Sequence, residues 1–441
     1  MNAQKRLACT SILIGKKAST DGSVMIGRNE DSRAAWPKHY VVHPHQELKS
    51  SPVFKSHDNQ FKLNLPKVRY KYAATPEWTK RYGLFEEDGI NEFNVAMSAT
   101  ESTYSNETVL GYDPLVKNGI GEEAMITVVL PYVKSARQGV QRLGKIIDKY
   151  GTDESNGILF ADRNSAWYME TGGGHQWVAE RIPDDCYAVV ANQTAIQNVD
   201  FNDPKNFMWS PQIREFVKKY HLNPSQDGSF NFRQIFGTHN LADTYYNTPR
   251  VWYGQRMFNP EIHQDPQSQH LPFLMKSHRK LSVNDAEAFL SSHYQGTPYD
   301  PIGEGKPKDR ERFRPVSLAK TQESHVLQIR PDQPKETTGI HWLAMGVAAQ
   351  STYVPFFSGI TKTPTAYHRG TQDYQHNSAY WTFKLAGILV DGHYLQFNPQ
   401  LEAVQSKLKI HYINSIKAVD ANAKQLPKDQ LIKLVNQVSN G

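Results

Sequence analysis

The chain has 441 residues, 39% apolar and 21% charged, which is an ordinary composition for a globular protein with a large core. The net charge of +6 is small and spread along the chain, which argues against a nucleic-acid partner. No apolar run approaches the ~18 residues of a membrane span, and the N-terminus lacks the apolar stretch of a signal peptide, so we expect a cytoplasmic protein without membrane contact.

Taken in chain order, the first elements predict a β-hairpin. Residues 9–15 and 23–27 are strand-like and flank Asp21-Gly22, a strong turn signal, so the hairpin begins at Cys9. Further strand-like runs are 68–74, 95–99 after an expected turn at Asp88-Gly89, 158–161, 166–170, 177–180 and 187–191.

A helical stretch separates these two groups of strands. It covers 122–130 and 134–150, is expected to split at Pro131, and has Gly151 where a C-terminal glycine belongs. Strands, helices and strands again predict an α+β fold with antiparallel sheets.

The second half of the chain is less regular. Residues 260–335 are rich in proline, histidine, glutamine and charge, which predicts surface insertions around one helix near 284–292. Terminal helical patterns lie near 399–408 and 428–438. We expect one large domain over 9–441 with an elaborated C-terminal half.

Common motifs for metal and phosphate binding are absent from the sequence. There is no CxxC pair and no HExxH, and His43-Pro44-His45 has no obvious further ligands. The two cysteines, Cys9 and Cys186, suit a reducing compartment, and neither has a papain-like or caspase-like surrounding. A cysteine without such a context is usually a buried structural residue.

The opening hairpin nevertheless resembles a known family. Residues 8–15, 21–23 and 27–32 are similar to the N-terminus of the Ntn-hydrolase cysteine dipeptidases of the PepD type, and the likeness recurs in order at 89–102, 189–193 and 249–253. These blocks also parallel the superfamily of choloylglycine hydrolases and penicillin V acylases. The resemblance implies a four-layer αββα sandwich and a dipeptidase that needs no metal or organic cofactor.

It also implies that Cys9 is the nucleophile. Residues 1–8 would be a short propeptide, removed by autocleavage or by another peptidase. A thiol with a pKa near ~8.5 needs activation at neutral pH, and the released α-amino group, with a pKa near ~7.7–8.0, suits a general base. Cys186, beside a predicted strand, is expected to be inert.

The same resemblance assigns roles to five further residues. Arg28 would lower the pKa of the Cys9 thiol, and Asp31 would hold the α-amino group. Asn192 would donate to the oxyanion. Arg250 would lie near the nucleophile, where it or another cation could bind the substrate's C-terminal carboxylate. Glu101 stands where the acylases have an asparagine, which suggests that it binds the substrate's α-ammonium group. Without the resemblance these residues fit solvated turns, strand ends or surface positions.

Three alternatives remain open from the sequence. A related amidase would act on N-acyl substrates, and an acyltransferase would pass the acyl group to an amine. A non-catalytic, secernin-like relative would act through protein contacts. A homo-oligomer is expected because the family often forms one.

Overall fold

The structure is a computed structural model that describes residues 8–440. The predicted propeptide therefore lies outside the described residues, except for Ala8, which begins the first strand. The strands are β1 (Ala8–Ile14), β2 (Val24–Asp31), β3 (Val41–His43), β4 (Gln46–Glu47), β5 (Val53–Lys55), β6 (Lys62–Asn64), β7 (Val68–Arg69), β8 (Tyr72–Ala74), β9 (Asp88–Asn91), β10 (Ala96–Glu101), β11 (Asn156–Ala161), β12 (Ala166–Thr171), β13 (Trp177–Ile182), β14 (Tyr187–Val190), β15 (Phe207–Trp209), β16 (Leu274–Met275), β17 (Thr321–Ile329), β18 (Gly339–Met345) and β19 (Val354–Phe357).

The helices occupy the middle and the end of the chain. They are α1 (Glu107–Tyr112), α2 (Glu122–Val129), α3 (Ala136–Tyr150), α4 (Ile213–Lys219), α5 (Phe232–Phe236), α6 (Asp243–Tyr246), α7 (Thr248–Phe258), α8 (Val283–Leu290), α9 (Pro307–Arg310), α10 (Lys335–Thr338), α11 (Ala379–Asp391), α12 (Tyr394–Ala423) and α13 (Lys428–Asn440). In the range 8–440, none of them is both long and apolar enough to cross a bilayer.

Two large antiparallel sheets form the centre of the fold. The first sheet has the strand order β16-β14-β1-β2-β17-β18-β19, and the second has the order β15-β13-β12-β11-β10-β9-β8-β3. The opening hairpin β1–β2 thus lies in the middle of the first sheet, with β14 on one side and β17 on the other.

Three apolar cores show how the layers stack. Leu13 and Ile26 of the first sheet meet Leu159 and Val178 of the second in one core. On the opposite face of the first sheet, side chains such as Ile12 pack with α7, α8 and the C-terminal helices. The second sheet packs its other face on α2 and α3. Because neighbouring strand residues point to opposite faces, this is a helix–sheet–sheet–helix sandwich, and the predicted α+β fold is confirmed.

Local sequence signals explain the hairpin and the long helix beside the second sheet. Gly22 has φ +77° in the turn, and Asp21 Oδ1 accepts the Ser23 N–H at 3.0 Å. Helix α3 begins where Ser135 caps it and ends at Gly151, which has φ +71°. A 3₁₀ turn containing Pro131 separates it from α2, so the predicted split is confirmed.

Two predictions from the sequence are wrong. Asp88 and Gly89 belong to β9 and not to a turn, because β9 pairs with β8 on one side and β10 on the other. Glycine at position 89 reflects close packing, since a side chain there would meet Ala73 O at 2.5 Å. The segment 260–335 is not only surface: it contains β17, which is buried along its whole length and pairs with β2. Thr321 and His325 of β17 have hydrogen-bond partners on β2 and β10, which the local sequence does not reveal.

Candidate active site

Cys9 lies near the start of β1, between the two sheets. It shares a strand face with Leu13, which is part of the core between the sheets. Directly across the hairpin it pairs with Glu30 of β2. The side chain is only 2% exposed, so the thiol is buried in the chain that still carries Ala8.

The Arg28 guanidinium contacts the thiol. Arg28 is fully buried, and its Nη1 lies 3.3 Å from Cys9 Sγ while also donating to Glu30 Oε2. Its Nε donates to Ser98 Oγ at 2.8 Å, and its Nη2 donates to Glu87 Oε2 at 2.9 Å. Contacts with residues of both sheets therefore hold the Arg28 guanidinium beside the Cys9 sulfur.

The electrostatic balance at the thiol favours the protonated form. Cys9 Sγ donates to Glu30 Oε2 at 3.4 Å. Burial, followed by the charge of Glu30, raises the pKa of the Cys9 thiol well above its usual value, and Arg28 acts in the opposite direction. Burial and Glu87 raise the pKa of Glu30 to about 8. Arg28 thus favours the thiolate, as the resemblance implied, but burial and Glu30 outweigh it here.

Asn192 and Arg250 hold the backbone of Cys9. The Cys9 N–H donates to Asn192 Oδ1 at 3.2 Å. Arg250 Nη1 donates to Cys9 O at 2.7 Å, and its Nη2 donates to Asn192 Oδ1 at 2.8 Å. Further acceptors for Arg250 are Tyr246 O, Thr10 Oγ1 and Asn247 Oδ1. A guanidinium has five N–H groups, so these five acceptors leave Arg250 no donor for a substrate carboxylate.

Asp31 occupies the opposite face of β2 from Arg28. It pairs in register with Ala8, and its carboxylate accepts from Arg314 and from Thr321 Oγ1. Neither of these two partners was anticipated from the sequence. Asp31 therefore lies opposite Ala8 in the hairpin. Removal of the residues up to Ala8 would make Cys9 the new N-terminus.

Glu101 ends β10, one residue beyond the inward-facing position of Thr100. Its backbone N–H donates to Glu122 Oε2 at 3.0 Å. Burial, followed by Asp153 and Asp58, raises the pKa of Glu101 to about 7. The charge of Glu122, by contrast, acts directly on the Cys9 thiol and raises its pKa. The structure thus brings Glu122 into the site.

A buried histidine was also missed in the sequence. His325 of β17 has Nε2 3.0 Å from Ser98 Oγ, and its Nδ1 lies 2.6 Å from Asp88 Oδ2 and 3.0 Å from Glu323 Oε1. These two carboxylates, acting against burial, raise the pKa of His325 to about 9. His325 is therefore a cation connected to Arg28 through Ser98.

Two buried groups within residues 8–440 have the spacing of a metal-ligand set. One comprises Asp88, Glu323 and His325, and the other comprises Glu30, Glu87 and Glu122. In the first group His325 pairs with both carboxylates. In the second group Arg28 and Lys38 pair with Glu30 and Glu87. Protein cations thus already neutralise most of the charge that a metal ion would balance.

Comparison with known proteins identifies the family. The model of "Peptidase family C69" matches residues 8–407. A "Probable dipeptidase" of Latilactobacillus sakei is 49% identical over 396 residues, which cover 88% of this chain and 82% of that protein. "Dipeptidase A" of Lactobacillus helveticus is 38% identical over 447 residues, covering 99% and 94%. A mutant conjugated bile acid hydrolase from Clostridium perfringens is 13% identical with a TM-score of 0.34, covering 77% of this chain and 89% of its own, a likeness too low to bear on function.

The match to the family model runs through both sheets and most of the helical layers, and it includes the hairpin that carries the buried thiol. The chain belongs to peptidase family C69.

Proposed function

We propose that this peptidase is a dipeptidase with Cys9 as its nucleophile. The observation that carries the proposal is the convergence of Arg28, Asn192 and Arg250 on one cysteine. Arg28 contacts the sulfur, Asn192 contacts the nitrogen, and Arg250 contacts the carbonyl oxygen. The relatives named as dipeptidases, at 38–49% identity over most of their length, support the same substrate class.

In this proposal, loss of residues 1–8 turns the Cys9 amide into the general base. The new α-amino group takes the place of the N–H that donates to Asn192 Oδ1, at the strand end where Asp31 faces Ala8. Asp31 then stabilises the protonated amine by charge. Residues 9–441 then form a single catalytic domain.

The reaction follows from these positions. The α-amino group accepts the thiol proton, and the sulfur attacks the peptide carbonyl beside Arg28. The amide group of Asn192 donates to the oxyanion, since its Oδ1 is occupied by Arg250 and Cys9. The amine leaves with the proton from the α-ammonium group. Water then attacks the thioester, its proton passes through the α-amino group to the sulfur, and the acid product departs.

We further propose a cytoplasmic homo-oligomer without a nucleic-acid partner. Two free cysteines support the cytoplasmic location. A net charge of only +6 supports the absence of a nucleic-acid partner. The exposed apolar side chains of α11 and α12, among them Ile388, Leu389 and Leu395, support self-association. Light scattering on the purified protein tests the oligomeric state, and a monomer at micromolar concentration would contradict it.

Intact-mass spectrometry followed by a panel of dipeptides tests the main proposal. A mass lacking residues 1–8, dipeptide cleavage, and complete loss of activity in Cys9→Ala support it. Cys186→Ala is the matched control and should keep full activity, because Cys186 lies outside the site. An active enzyme that retains residues 1–8 would contradict the α-amino base.

A further inference from the structure

Glu122 places an unpaired carboxylate oxygen inside the site. It is the first residue of α2 and is 3% exposed. Its Oε2 accepts the Glu101 N–H, whereas its Oε1 is buried and has no hydrogen-bond partner in the part of the chain that the structure describes. A buried polar atom without a partner is unusual in a native protein and calls for a ligand or another explanation.

The charges around Glu122 do not balance. Carboxylate oxygens of Glu30, Glu87 and Glu122 all lie within 4.8 Å of one another. Arg28 pairs with Glu30 and Glu87, and Lys38 pairs with Glu87. No ion pair to Glu122 exists among residues 8–440, so three carboxylates share two cations. A buried carboxylate without a cation is driven towards its protonated form, and a bound cation would stabilise the charged form.

The spacing suits the amino group of a short peptide. Glu30 Oε2 lies 3.4 Å from Cys9 Sγ, and a carboxylate oxygen of Glu122 lies within 4.8 Å of one from Glu30. In a dipeptide the α-nitrogen lies only about 2.5 Å from the scissile carbonyl carbon, because two bonds separate them. An acceptor for the α-ammonium group must therefore lie within a few ångströms of the nucleophile, where these carboxylates are.

A second buried group that has no hydrogen-bond partner within residues 8–440 lies on β10, the strand whose Ser98 contacts Arg28. Thr100 Oγ1 is buried without a hydrogen-bond partner in the described range. It lies on the same face of β10 as Ser98, which contacts Arg28. Burial, followed by the neighbouring Glu87 and Glu30, raises the pKa of Glu122. A bound ammonium group would reverse this shift, since a nearby cation stabilises the charged carboxylate.

We propose that Glu122, together with Glu30 and the Thr100 hydroxyl, binds the substrate's α-ammonium group and thereby selects peptides with a free amino terminus. This inference rests on the proposed dipeptidase function and makes it more specific. It moves the ammonium site from Glu101 to Glu122 and Glu30, two carboxylates whose charges act on Cys9.

The competing explanation is a structural one. A carboxylate in the first turn of a helix interacts favourably with the helix dipole, and Glu122 holds such a position. Glu123 lies in the same turn and has partners of its own, Ser56 Oγ and the His57 N–H. A purely structural Glu122 predicts a lower melting temperature in Glu122→Gln and an unchanged preference among substrates.

The test compares L-alanyl-L-alanine with propionyl-L-alanine, which has the same shape but lacks the amino group. Alanine release gives kcat/KM for both compounds with the processed enzyme, Glu122→Gln and the control Glu101→Gln. We expect Glu122→Gln to lower kcat/KM for the dipeptide roughly 10- to 100-fold, the loss typical of a hydrogen bond to a charged group. The value for propionyl-L-alanine should change less than about threefold. Glutamine can still accept the Glu101 N–H, so the variant should fold.

The outcomes distinguish a failure of the ammonium-site inference from a failure of the proposed dipeptidase function. A Glu122→Gln enzyme that keeps the wild-type preference for the free dipeptide overturns this inference, and so does a loss of preference in Glu101→Gln alone. Wild-type enzyme that cleaves no dipeptide overturns the proposed function itself. If Glu122→Gln does not fold, Glu122→Asp, which keeps the charge on a shorter side chain, must show a raised KM for the dipeptide for the inference to stand.

Discussion

Cys9 and Glu30 face each other across the opening hairpin, and the thiol donates a 3.4 Å hydrogen bond to the carboxylate. The same carboxylate oxygen accepts from Arg28, which also contacts the sulfur. The thiol, the carboxyl group of Glu30 and the guanidinium of Arg28 are therefore in direct contact with one another. In this arrangement Glu30 holds the thiol protonated while Arg28 favours the thiolate, so the reactivity of the sulfur depends on both.

Glu30→Gln should lower the pKa of the Cys9 thiol. The charge of Glu30 raises this pKa, and its removal also leaves Arg28 to act on the sulfur alone. The midpoint of thiol ionisation should therefore fall, because the negative charge in direct contact with the sulfur is gone. The pH dependence of iodoacetamide alkylation, measured in processed Cys186→Ser enzyme, gives the value. An unchanged or higher midpoint would show that Glu30 does not control the thiol.

Asn192→Asp tests whether the N–H group of the Asn192 side chain donates to the oxyanion. The variant keeps an oxygen that can accept from Arg250 and from the nitrogen of Cys9, so the fold should survive. It removes the N–H donor, and losing one oxyanion donor costs about 10²–10³ in kcat. Steady-state kinetics on a dipeptide, with the melting temperature as control, checks this. A kcat within threefold of wild type would remove Asn192 from the oxyanion site.

His325 should make stability depend on pH in a defined direction. Its pKa is raised from 6.5 to about 9 in the fold by Asp88 and Glu323. The folded protein therefore holds a proton that the unfolded chain has lost, so the stabilisation is complete below pH 6.5 and disappears as pH rises through about 9. The difference in free energy of unfolding between wild type and His325→Gln should shrink over this range. Denaturant titrations at several pH values measure it, and a constant difference would contradict the assignment.

Gly144→Ala should destabilise the protein although alanine favours helices. A Cβ at Gly144 of α3 would lie 2.3 Å from Trp177 Cζ2, and overpacking of this kind costs about 1–3 kcal/mol. The gain in helix propensity is only about 1 kcal/mol. Gly111→Ala in α1 is the matched control, because nothing lies within 4 Å of its Cβ position. Thermal unfolding should show a lower melting temperature for Gly144→Ala and an equal or higher one for Gly111→Ala.

Elements with strong local signals were predictable from the sequence. The hairpin follows from the Asp21-Gly22 turn, and the limits of α3 follow from Pro131 and Gly151. Glu30 was within reach of the same reasoning, because the two-residue strand period places it on the face of Arg28. Contacts between distant segments, such as that of Arg250 with the carbonyl of Cys9, became predictions only through the family resemblance.

The errors occurred where the tertiary surroundings override local preference. Asp88-Gly89 has the composition of a turn, yet Asp88 is a buried partner of His325 and Gly89 fits a close strand contact. Strand β17 has polar residues on the face that meets the second sheet, so its sequence resembles a loop. His325 reaches Asp88 and Ser98 on other strands and also pairs with Glu323 of its own strand, and these buried contacts make the polarity compatible with a core position.

The position of β17 has a consequence for synthesis of the protein on the ribosome. The strand that carries Arg28 and Glu30 has β17 as its neighbour on one side, yet β17 is made almost 300 residues later along the chain. Such non-local pairing forms late, because the intervening chain must first be ordered. Cys9 is among the first residues to leave the ribosome, but the strands around it are complete only after residue 329 has emerged. A nascent chain shorter than this lacks the strand that flanks Arg28 and Glu30.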